Sequence, residues 1–156
     1  MSEPAEGRIE RLLRRGAKEV RPYITGRLAS EVEEEYGLTD VVKLASNENP
    51  LGPSPKAMRA ARKAVGAVER YPDGSARALK KELARMLSLK EEELVIGNGG
   101  DDVLSILGRT LINEGDECII PNPSFAPYET VTRVMGGVPV FSPLKDFAID
   151  LEDIRG

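Results

Sequence analysis

Apolar positions along this chain follow two rhythms, and the change comes near residue 93. Before it the spacing is helical. Ile9, Leu12, Leu13 and Ala17 recur among arginines and glutamates, which predicts an amphipathic helix over 5–19, stopped near Pro22. Residues 27–36 predict a second helix with an acidic face, ending at Gly37. Val41 to Leu44 read as a short strand, and ASNENPLGPSP (45–55) as an irregular connector stiffened by three prolines. Ser54 and Pro55 form a helix start, with Met58, Ala61 and Val65 on the following helix. RYPDG (70–74) is a turn, and a helix over 76–88 places Leu79, Leu83, Met86 and Leu87 inward. After residue 93 short apolar runs alternate with helical stretches: strand 94–96, helix 101–112, strand 117–120, helix 125–135, strand 138–141. This βαβαβ alternation predicts an α/β fold with a parallel sheet covered on both faces, and Pro139 asks for an edge or early strand position. Residues 143–156 show no further crossover helix.

Composition narrows the chemistry. The 156 residues are 40% hydrophobic and 31% charged, which suits a globular domain with a core. A net charge of −4 gives a nucleic-acid partner no electrostatic support. No apolar run approaches the roughly 20 residues that span a bilayer, and the first residues hold no apolar signal segment, so a cytoplasmic location without membrane contact is expected. The single cysteine, Cys118, sits in an apolar run and reads as a small buried hydrophobe. Histidine is absent, which excludes Ser-His and Cys-His pairs and His-containing metal sites within this chain, and no metal site is expected.

The chemistry-bearing stretch is VIGNGGDD, residues 95–102. An apolar run gives way to Gly97, Gly99 and Gly100, and a helical pattern follows Asp101. Glycines let backbone approach a ligand, and a helix start offers unpaired N–H groups, so the pattern suits a phosphate. It is neither GxGxxG nor a Walker A loop, which disfavours NAD and ATP. A plain structural turn has the same sequence. Phe125, past a strand end with Tyr128 three residues on, lies where open α/β sheets bind ligands, or else packs in the core. Tyr71 in its turn and the polar Asn47–Pro50 segment read as surface or as site.

Taken in order, SNENPLGPSP, RYPDG, GNGGDD and PNPSFAPY resemble the fold-type I pyridoxal-phosphate aminotransferases, and within them the histidinol-phosphate aminotransferase branch; RPYITGR upstream is similar too. The resemblance covers about residue 20 to the end and implies a three-layer α/β/α fold, here its N-terminal portion. It implies pyridoxal 5′-phosphate as cofactor, with backbone of Gly99, Gly100 and Asp101 at its phosphate and Phe125 stacked on its ring. It further implies Tyr71 reaching the cofactor phosphate of a neighbouring subunit, hence a homodimer, and Tyr23 and Asn47 near substrate. The substrates implied are an amine phosphate, histidinol phosphate, or a related amino acid, with 2-oxoglutarate.

The same resemblance implies a division into residues 1–45 (arm and part of a small domain), 46–92 (a helical lead) and 93–156 (the opening of the cofactor-binding domain). The family's Schiff-base lysine belongs beyond Gly156, and none of Lys18, Lys43, Lys56, Lys63, Lys80, Lys81, Lys90 and Lys145 has its Ser-Lys strand-end setting. The chain on its own is therefore expected to be inactive and to expose apolar sheet surface. The rival readings are a non-catalytic α/β binding or assembly module with a vestigial phosphate loop, and a phosphosugar- or nucleotide-binding domain. Against the last, no acidic ribose partner follows the second strand.

Overall fold

The computed structural model describes residues 10–22, 24 and 26–155. Two compact units result, one of residues 24–82 and one of residues 83–156 together with the N-terminal stretch through 23.

The second of these carries the α/β pattern. Helix α1 (Arg15–Glu19) is short because Arg14 is extended, at φ −58° and ψ 143°; the predicted 5–19 helix is thus interrupted, and its residues 5–9 lie outside the described ones. In the other unit are α2 (Ala29–Tyr36), closed by Gly37 in the left-handed region, and α3 (Pro55–Ala64), which continues as a 3-10 turn over Val65–Ala67. As its sequence predicts, α3 starts with Pro55 at its first position, and Ser54 Oγ accepts from Lys56 N at 3.2 Å. Helix α4 (Arg77–Leu87) spans the division between the units. No described residue of 24–82 is buried, so this unit has no core of its own.

The remaining elements follow in order: α5 (Gly100–Leu111), β1 (Glu117–Asn122), α6 (Pro127–Met135), β2 (Val138–Lys145), β3 (Ala148–Ile149) and α7 (Leu151–Arg155). β1 and β2 pair in parallel, with Ile119 opposite Val140 and Ile120 opposite Phe141. β3 then turns back antiparallel on β2 through Asp146 and Phe147, both at positive φ. The prolines fit this order, β1-β2-β3. Pro139 is the second residue of β2, where β3 does not reach, so its missing N–H leaves no broken ladder.

Four expectations are corrected. Leu79, Met86 and Leu87, predicted to face inward on α4, are exposed, because the described chain packs little against that helix. Residues 94–96 are extended, with Leu94 at φ −113° and ψ 130°, but they pair with no strand. Residues 41–44 likewise form no strand, and Val42 and Leu44 are exposed. A strand needs a partner's N–H and C=O groups, and the described chain offers neither segment one. The sheet is also not covered on both faces. Along β1 the side chains alternate, with Ile120 4% exposed and Ile119 49% exposed, and Val138 and Val140 are open as well.

The covered face is locked by specific contacts. Where α5 meets α6, a Cβ on Gly108 would stand 2.1 Å from Val131 Cγ1, so only a glycine permits this approach. Buried Ser142 donates from Oγ to Asp153 Oδ2 at 2.6 Å, tying α7 to β2. Arg133 of α6 pairs with Glu129 at 2.7 Å and with Glu19 of α1 at 3.4 Å.

Candidate functional site

The glycine loop ends in a backbone conformation that dictates its sequence. Gly99 caps α5 with φ 86° and ψ 177°, a region reserved for glycine. No side chain caps this helix start. The first N–H groups of a helix have no carbonyl of their own helix to reach, so Gly99, Gly100 and Asp101 present donors at the positive end of the α5 dipole. A Cβ on Gly99 or Gly100 would meet nothing within 4 Å, so the space beside their Cα atoms is open. Asp102 shapes the loop from beneath. Its Oδ2 accepts from Asn98 N at 2.8 Å, so the third helical residue reaches back past the cap to the residue before it. The sequence marks Asp102 only as an acidic residue in the first helical turn, and the bond to Asn98 N depends on how the loop folds back.

Phe125 lies in the loop between β1 and α6, after a cis Asn122-Pro123 peptide. It lines an apolar cavity of about 610 Å³ with Ile120, Pro123, Tyr128 and Leu144 among its walls. The Phe125 ring stands edge to face against Tyr128, with centroids 6.0 Å apart and planes at 84°. Gly99, Gly100 and Asp101 are not among the lining residues, and none of the eight lysines is.

Asn47 and Tyr71 belong to the 24–82 unit. Asn47 is exposed and, with Ser46, adopts positive φ, at 52° and 69°. Its neighbour Asn49 holds the turn that follows, accepting from Leu51 N and donating to Gly52 O, both at 3.1 Å. Lys43 is paired with Glu48 at 2.8 Å. Tyr71 is fully exposed. Its turn is fixed by Asp73, whose carboxylate accepts from Ser75 Oγ at 2.7 Å, Ser75 N at 2.9 Å and Arg77 N at 3.0 Å. These bonds, led by the Ser75 hydroxyl, hold the Asp73 carboxyl below its ordinary value of 3.8. Tyr23 lies outside the described residues. No group of Cys, Asp and Glu with metal-holding geometry occurs among the described residues, and no helix among them is long and apolar enough to cross a membrane.

Comparison with known proteins identifies the family and the fold. Residues 39–156 match the family model described as aminotransferase class I and II. A histidinol-phosphate aminotransferase of Moorella thermoacetica is 47% identical over 132 residues, covering 85% of this chain and 34% of that protein. One of Caldicellulosiruptor saccharolyticus is 44% identical over 142 residues, covering 91% of this chain and 40% of that protein. Among solved structures, histidinol-phosphate aminotransferase from Sinorhizobium meliloti in complex with pyridoxal-5′-phosphate superposes with a TM-score of 0.76 at 25% identity, over 88% of this chain and 37% of that one. An alanine aminotransferase from Pyrococcus furiosus shares the fold, at a TM-score of 0.64 and 23% identity. The chain thus spans about a third to two fifths of the length of the relatives it matches. It carries part of the type I fold of pyridoxal-phosphate aminotransferases, and it belongs to the class I and II aminotransferase family.

Proposed function

We propose that this chain supplies the phosphate cradle and one ring-facing wall of the cofactor site in a transaminase that exchanges an amino group between histidinol phosphate and 2-oxoglutarate. The observation that carries the reading is the pairing of the Gly99 conformation with 44–47% identity to histidinol-phosphate aminotransferases over most of the chain. The residues present fit pyridoxal 5′-phosphate on three counts. Open space lies beside the Gly99 and Gly100 Cα atoms, the helix start carries no side-chain cap, and Phe125 lines an apolar cavity. When bound, that group would supply an electron sink for negative charge developing on the substrate carbon that bears the amino group.

The chain's own residues bind and orient. The amides of Gly99, Gly100 and Asp101 donate to the phosphate, reinforced by the dipole of the twelve-residue α5. Asp101 and Asp102 put like charge in the same turn, so contact with the anion runs through backbone rather than through their side chains. Phe125 keeps water from one face of the ring. Tyr71 reaches the phosphate held by a second copy, which makes the enzyme a homodimer. Tyr23 and Asn47 stand near the substrate. No lysine of this chain is assigned the Schiff base. Residues 93–156 open the cofactor-binding domain, 46–92 lead into it, and 1–45 form the arm and part of the small domain.

The test is amino-donor selectivity in the protein that carries this chain. Histidinol phosphate is expected to exceed alanine and aspartate in kcat/KM by about 10-fold or more, because a site built for a second phosphate leaves its donors unpaired with the others. Equal use of alanine or aspartate overturns the substrate assignment and leaves the family intact.

A further inference from the structure

We propose that Tyr128 is a positioning residue, holding the Phe125 ring as the plate on which the cofactor's pyridine lies; the inference rests on the pyridoxal-phosphate reading above. Phe125 stands in a loop and is 52% exposed, so packing alone does not select one orientation for its ring. Tyr128 is itself 40% exposed, but its backbone is anchored. It sits in the first turn of α6, and its carbonyl accepts from Thr132 Oγ1 at 2.8 Å, Thr132 being 3% exposed. Its own N–H donates to the Phe125 carbonyl at 3.1 Å, which closes a turn between the two residues. Edge-to-face geometry sets the positive edge of one ring against the negative face of the other, a directional contact that bare apolar packing lacks. A helix-borne ring thereby orients a loop-borne ring, and both line the same cavity.

The experiment is a double-mutant cycle on this chain, read as the Kd for pyridoxal 5′-phosphate, with Phe125→Leu, Tyr128→Leu, Tyr128→Phe and the Phe125→Leu/Tyr128→Leu pair. Tyr128→Leu should weaken binding about 2- to 10-fold, and Tyr128→Phe should restore it, since the ring rather than the hydroxyl acts. The pair should be no weaker than Phe125→Leu alone, because Tyr128 works only through Phe125; two effects that add point to separate structural roles and overturn the proposal. Phe125→Leu binding as tightly as the unsubstituted chain counts against the cofactor reading itself. Phe125→Leu weakened with Tyr128→Leu unchanged counts against the positioning role alone. The χ1 couplings of Phe125 by NMR decide the matter without ligand: one rotamer in the unsubstituted chain and averaging in Tyr128→Leu are expected, and averaging in both overturns it.

Discussion

At Gly99 the backbone angles, φ 86° and ψ 177°, exclude a side chain, although a Cβ would strike nothing. The restriction is conformational and not steric crowding, so it isolates what the turn itself contributes. Gly99→Ala should cost about 1–3 kcal/mol of stability and weaken pyridoxal 5′-phosphate binding more than pyridoxal binding, in parallel thermal melts and titrations. Gly74, equally open but without positive φ, is the control, and Gly74→Ala should change neither. Asp73 makes a prediction in pH. Its folded pKa lies below the ordinary 3.8, so its contribution is present above that pH and is lost as pH falls through the lowered value. Amide exchange at Ser75 and Arg77 should therefore rise on acidification below about pH 3.8, and Asp73→Asn should blunt that step.

The contact between α5 and α6 turns on a single hydrogen atom. Gly108→Ala gains about 1 kcal/mol of helix propensity but forces an overlap with Val131 that costs about 1–3 kcal/mol, so a net loss is expected in denaturation midpoints. Val131→Ala in the same chain should recover part of it. The same scale shows what the sequence made legible. Helices bond within themselves, and their caps are local, so Ser54-Pro55 and Gly136 mark boundaries that the structure keeps within two residues. Strands depend on distant partners, which is why Leu94-Val95-Ile96 is apolar and extended yet unpaired. The β2-β3 turn escaped notice for a different reason. Asp146 and Phe147 adopt φ of 50° and 61° without the Asn-Gly pattern that normally announces such a turn. At the candidate site, the glycines and Phe125 were legible as residue types, whereas the Asp102 carboxylate bond and the Tyr128 ring contact exist only once α5 and α6 are built.

Large apolar side chains are open in each unit, Ile119, Val138, Val140 and Phe141 on the sheet and Leu44, Leu51 and Val68 in the other unit. Surface of this kind seeks cover, so the isolated chain should bind a hydrophobic dye and show a mass that rises with concentration in sedimentation; a dye-silent monomer at every concentration would contradict this. The central claim is narrower, that the Gly99 turn and the Phe125 ring are the two ends of one cofactor's seat. An amide and aromatic NMR titration of the chain tests it most directly. Pyridoxal 5′-phosphate should move the amides of Gly99, Gly100 and Asp101 together with the Phe125 ring, whereas pyridoxal should move the ring and leave those amides still. Amide shifts that are identical with both compounds, or that fall outside this turn, would contradict the account.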